Sequence, residues 1–318
     1  MKHNKLYRIL IIGFLLYSIN LCVFPKAVNA IEFKESYLYN LSNFNGTIPY
    51  DWTRIVVDTE RDEIYVLYQN LVKIFNENGM EIYSFGEDGN LGNLADISVD
   101  KDGNILLLSY KDISQLEIIR CNFRGERIGR IEIKNLPPEF STFLPNRMAY
   151  QKGNLYLASQ HSMRVIITDS EGNFKNGYDI ISILGLNEKD RADTQMDGFS
   201  LDRDGNVLFT IPVLFKACRL SPDGKLVSFG KPGGLPGEFC IVSGIASDKN
   251  GNYLVADKLK CVVMVFDNNF NFIAEFGYRG LKPGNLIIPD DLALDSKDKV
   301  YVAQGQRRGV SVYKLSYN

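Results

Sequence analysis

One phrase recurs six times along this chain: a short apolar strand, a polar turn that often contains Gly-Asn, and a second apolar strand. The copies begin at Ile55 (IVVDTERDEIYVLY), Ile97 (ISVDKDGNILLLS), Met148 (MAYQKGNLYLAS), Phe199 (FSLDRDGNVLFTI), Ile245 (IASDKNGNYLVAD) and Leu292 (LALDSKDKVYVAQ). Their starts lie 42, 51, 51, 46 and 47 residues apart. A β unit of that length cannot bury its apolar faces alone, so it must stack on copies of itself. Each copy continues into a third strand, such as residues 262–266 or 164–168, and a fourth, such as 272–276. The joining turns at Asn78-Gly79, Arg124-Gly125, Glu171-Gly172, Asp223-Gly224 and Asn268-Asn269 carry residues that accept the backbone of a tight hairpin.

The sixth copy ends after its third strand, residues 310–315. Residues 36–41 (SYLYNL) precede the first copy and belong to none, so they supply the missing strand and close the ring. The expected fold is all-β: a six-bladed β-propeller of four-stranded antiparallel blades, closed by an N-terminal strand on the last blade. Sterics at the axis agree, because the centres of the six innermost strands are the small residues Val56, Ser98, Ala149, Ser200, Ala246 and Ala293.

Residues 1–30 are expected to be a signal peptide, with Lys2, Lys5 and Arg8 before an apolar run and a small-residue exit at Val28-Asn29-Ala30. The apolar run, residues 9–24, would rise only about 24 Å as a helix, short of a hydrocarbon core of about 30 Å. Cleavage after Ala30 therefore leaves one exported propeller domain, residues 31–318, secreted or periplasmic, with no membrane span. Leu21, bulky beside Cys22, argues against lipidation there.

Removing four basic and no acidic residues takes the chain's 36 Lys+Arg to 32 against 38 Asp+Glu, a net charge of −6. Such a surface is unsuited to nucleic acid. Cys121, Cys218, Cys240 and Cys261 remain, at spacings that match no zinc site and suggest at most one disulfide.

The stretch Gly233-Gly-Leu-Pro-Gly-Glu-Phe239, followed by Gly244-Ile-Ala-Ser-Asp248 and Gly251-Asn-Tyr-Leu-Val-Ala-Asp257, resembles the NHL-repeat six-bladed propellers. The next copy repeats it with Gly280-Leu-Lys-Pro-Gly284, Leu292-Ala-Leu-Asp295 and Val300-Tyr-Val-Ala303. Blades five and six match best, blades one and four moderately, and blades two and three only in outline. The resemblance implies the fold and leaves the chemistry open, since such propellers include binding modules, lyases and lactonases.

The motif Asp-x-Asp/Asn-Gly-Asn at residues 100–104, 202–206 and 248–252 resembles the start of a calcium loop, but a strand follows at once where further ligands would be needed. A polar turn is the better reading. Zinc lyases of this fold depend on several histidines, whereas residues 31–318 contain only His161, expected at the surface. Neither a nucleophile elbow nor a Ser-His-Asp arrangement is apparent.

What remains is the ring of residues that opens the innermost strands: Arg54, Asp96, Arg147, Gly198, Gly244 and Asp291, with Trp52, Asn146, Asp197, Ser243 and Asp290 close by. Trp52, Arg54, Asp96, Arg147 and Asp291 are the expected ligand-binding residues, with arginines and carboxylates pairing around the tunnel mouth. The expected function is a non-catalytic scaffold, monomeric and without a cofactor, that binds an extracytoplasmic protein, peptide, glycan or small ligand. Long connections at residues 135–145 and 184–195 would enlarge one face. The alternative is a calcium-dependent lactonase or lyase with Asp96, Asn146, Asp197 and Asp291 as metal ligands.

Overall fold

The computed structural model describes residues 33–49, 51, 53–112 and 115–317. The expected leader with its cleavage point after Ala30, and Trp52 at the expected site, lie outside the described residues. Among the described residues no helix is long and apolar enough to cross a membrane.

Six four-stranded antiparallel sheets follow one another along the chain. Their innermost strands are Arg54–Asp58, Asn93–Val99, Arg147–Gln151, Asp197–Leu201, Val242–Ser247 and Pro289–Leu294, each opening one blade. In blades one to five the strands run outward in chain order. Blade six combines Pro289–Leu294, Lys299–Gln304 and Val310–Tyr317 with Phe33–Asn40 as its outermost strand, so the ring closes with sequence from both ends of the domain. Just beyond that strand, Leu41 N–H donates to Val310 O at 3.0 Å.

The core lies between neighbouring blades because each sheet is apolar on both faces. Ile64, Val66 and Ile55 of blade one pack with Tyr301, Val310 and Val312 of blade six, joined by Leu41. Phe209 and Val207 of blade four meet Val165 and Ile167 of blade three. In blades four and five, Phe229 stacks on Phe270 at 4.7 Å and meets Phe266 edge-on at 5.1 Å.

The calcium-like sequences are turns. Asp100 accepts the N–H groups of Asp102 and Asn104, both at 2.9 Å, and the Asn104 amide. Asp202 and Asp248 repeat the arrangement with Asn206 and Asn252. Both oxygens of each carboxylate thus serve the local backbone and the Asn side chain.

Residues 184–195 do not form a plain loop: helix Ile180–Leu184 is capped by Asp179, and helix Glu188–Asp193 by an Asn187–Asp190 capping box. The connection at 135–145 holds one short turn of helix, Pro138–Phe140, whose Phe140 is buried. The four described cysteines, Cys121, Cys218, Cys240 and Cys261, are free thiols.

Candidate functional site

The starts of the innermost strands converge on one mouth of the ring, and strand pairing sets what each presents there. In blades two, four, five and six the register shifts near the strand's beginning, between Leu94 and Asp96, Asp197 and Phe199, Val242 and Ile245, and Pro289 and Leu292. A bulge at that place re-aims the side chains beside it. Blades one and three, which open on Arg54 and Arg147, pair without a shift.

Arg54 sits between two carboxylates. Its Nε donates to Asp96 Oδ1 at 3.0 Å and its Nη2 to Asp96 Oδ2 at 3.4 Å, while Nη1 donates to Asp291 Oδ1 at 2.8 Å. Asp96 is fully buried and Asp291 nearly so. The carboxylates also tie the blades together: Asp96 accepts Met148 N–H at 2.7 Å and Ile97 N–H at 2.9 Å, and Asp291 accepts Ile55 N–H at 2.9 Å. Burial alone would lower the Arg54 pKa, but the two aspartates outweigh it and hold the guanidinium firmly protonated. For Asp291 burial is the larger influence and pushes its pKa above the ordinary value, with Arg54 opposing.

A second bridge lies beside the first. Lys258 Nζ contacts Asp197 Oδ2 at 2.9 Å and Asp290 Oδ1 at 2.6 Å. Burial works against its charge, but the two carboxylates prevail and raise its pKa. The sequence reading passed over Lys258 as a site residue. Its one local signal is a basic residue directly after Asp257, whose carboxylate accepts the N–H groups of Cys240, Ile241, Leu259 and Lys260 and so holds the adjoining loops in place.

Arg147 differs from both. Its Nη1 donates to Asn146 O at 2.8 Å, and its Nε is buried without a hydrogen-bond partner among the described residues. Burial lowers its pKa, Arg54 lowers it further, and Asp96, Asp291 and Asp197 partly compensate. Asn146 pairs with Gln160 in both directions, at 2.8 and 2.9 Å. Arg54, Asp96, Arg147, Asp197 and Asp291 are therefore coupled through charge at one mouth, whereas Gly198 and Gly244 present no side chain. His161 is exposed on a turn.

A cavity of about 590 Å³ runs from Arg54, Met148 and Asp291 through the layer of Val56, Ala149 and Ala293 toward the turns at Lys101, Arg203 and Lys249. That is the central tunnel, and its volume falls within the range of small-molecule sites.

No family model matches the chain, and no curated protein matches it by sequence. Solved structures are similar in fold. A Bacteroides thetaiotaomicron protein of unknown function superposes with a TM-score of 0.64 at 13% identity, covering 90% of this chain and 77% of that one. Virginiamycin B lyase from Staphylococcus aureus gives 0.58 at 15% identity, covering 90% and 99%. An auxiliary nutrient binding protein from Bacteroides ovatus gives 0.54 at 13% identity, covering 91% and 77%. The fold is a six-bladed β-propeller. Identities this low extend to architecture alone.

Proposed function

We propose that the chain is an exported, NHL-type propeller that binds a ligand or partner without transforming it, with recognition centred on the ion-paired mouth and the loops around it. The observation that supports this reading is the engagement of the carboxylates. Asp96 accepts four hydrogen bonds, from Arg54 Nε and Nη2, Ile97 N–H and Met148 N–H, which uses the full acceptor capacity of a carboxylate. Asp291 is held by Arg54 and Ile55, and Asp197 by Lys258 and the Gly198 N–H. Carboxylates fixed in this way have few acceptor sites left to offer a substrate, and a rigid, pre-paired frame favours selective binding.

The calcium-dependent alternative needs Asp96, Asn146, Asp197 and Asp291 to turn toward one ion. That would break the Arg54 and Lys258 bridges and leave both cations beside the metal. An auxiliary nutrient binding protein of similar fold is in keeping with a binding role. Elemental analysis after incubation with excess calcium and dialysis tests the reading: less than about a tenth of an equivalent is expected to remain. Retention near one equivalent that disappears in Asp96→Asn would overturn it.

A further inference from the structure

We propose that the free edge of Arg147 is the receptor for a monocarboxylate ligand, an inference that rests on the binding reading above and names its ligand class. The ring provides its own template. Arg54 opens the innermost strand of blade one and has an aspartate on both neighbouring blades, Asp96 and Asp291. It grips Asp96 side-on, with Nε and Nη2 along one edge of the guanidinium meeting the two carboxylate oxygens. Arg147 holds the equivalent position on blade three, but its neighbours are Asp96, whose acceptor sites are filled, and Gly198.

The consequence is visible in the hydrogen bonds. Arg147 has its Nη1 on Asn146 O, and neither Nε nor Nη2 has a partner among the described residues. The edge left without an acceptor is the edge Arg54 uses on Asp96. Arg147 is half-buried as a residue and stays charged, but its Nε–H is hidden from water without an acceptor, which is a standing penalty. A carboxylate arriving side-on would remove it and offset the repulsion from Arg54.

Charge selects the ligand. Asp96, Asp197, Asp290 and Asp291 face Arg54, Lys258 and Arg147, four negative groups against three positive. Arg54 and Lys258 are each bridged to two of these carboxylates, so of the three cations Arg147 is the one with no carboxylate in contact among the described residues. Because the mouth already carries one negative charge in excess, each further charge on a ligand is opposed, and a monocarboxylate is favoured over doubly charged phosphate. At this mouth the tunnel is lined by Arg54, Asp291 and Met148, the residue that follows Arg147, and its volume of about 590 Å³ can receive the body of such a ligand.

The test uses the whole propeller with acetate, pyruvate and benzoate as probes, at constant ionic strength and with phosphate and chloride as comparisons. Saturable binding of at least one carboxylate is expected by calorimetry, and it should weaken by roughly 10- to 100-fold in Arg147→Gln, the loss of a charge-assisted pair. Should that variant fail to fold, the Nε–H resonance of Arg147 in wild-type protein gives the answer: the carboxylate should move it to saturation, while chloride and phosphate should not. An unmoved resonance, equal response to phosphate, or full affinity in a folded Arg147→Gln would overturn the proposal. Failure here with no metal retained leaves the binding reading standing, whereas stoichiometric calcium lost in Asp96→Asn defeats that reading whatever Arg147 does.

Discussion

Asp291 of the last blade reaches Arg54 of the first, Oδ1 to Nη1 at 2.8 Å, across 237 positions of sequence. The propeller is therefore closed twice: at its rim, where Phe33–Asn40 completes blade six, and at its axis by this ion pair. The two closures rest on different physics, and they can be broken separately.

The axial closure predicts an inverted pH response. Arg54→Met leaves Asp96 and Asp291 buried without their cation and should destabilise the fold by about 3–5 kcal/mol at neutral pH. Burial already raises the Asp291 pKa, and losing Arg54 removes the influence that opposed it. A raised folded-state pKa means that the folded form binds the proton more tightly, so the variant should gain stability as pH falls through that raised value and lose it as pH rises. Urea unfolding at neutral and mildly acidic pH measures this. A variant whose deficit grows on acidification would contradict the assignment.

The rim closure predicts a gradient along the N-terminal strand and its exit. Leu41 is 1% exposed within the cluster joining blades six and one, whereas Leu38 is 40% exposed. Leu41→Ala should cost about 2–5 kcal/mol, and Leu38→Ala less than about 1. Deleting residues 33–43 should lower Tm by more than about 10 °C or prevent folding, because a whole blade edge loses its partner. Thermal melts that rank Leu38→Ala at or above Leu41→Ala would place the closure elsewhere.

Asp179 predicts ordinary acid sensitivity. Burial would raise its pKa, but the Ser182 N–H, Arg191 at 3.0 Å and Arg164 at 3.2 Å together pull it below the usual carboxylate value. A depressed carboxylate contributes stability above its unfolded-state pKa and loses it as pH falls through the folded-state value. Asp179→Asn keeps a helix cap and removes the charge, so it should cost about 1–2 kcal/mol at neutral pH. The gap from wild type should close at pH below the ordinary carboxylate range. A gap unchanged over that range would show the ion pairs to be inert.

Gly198 is required by space as well as by backbone angle. With φ at +41°, a Cβ there would stand 2.3 Å from Ser243 O, and Gly198→Ala should cost about 2–4 kcal/mol. At Gly234 a Cβ meets nothing within 4 Å, so Gly234→Ala should fall within about 0.5 kcal/mol of wild type. Equal melting points for the two variants would show that blades four and five can separate at the axis.

Much of this molecule was legible in its sequence. Strand alternation and turn chemistry act over a few residues, so six copies of one phrase disclosed six blades, and an unassigned strand before a three-strand final copy disclosed the closure. Small residues at Val56, Ser98, Ala149, Ser200, Ala246 and Ala293 marked the axis because only small side chains fit where six strands meet. The helices around residues 180–193 were not legible, since elements of five and six residues are too short to show a helical period. The pairing at the mouth was beyond the sequence too. Arg54 lies 42 residues from Asp96 and Lys258 lies 61 from Asp197, separations at which no local pattern links the partners. Sequence placed arginines and aspartates at equivalent strand starts; only the assembled ring, through its bulges and the order of its blades, gave Arg54 two carboxylates, drew Lys258 to Asp197 and Asp290, and left Arg147 with a free edge.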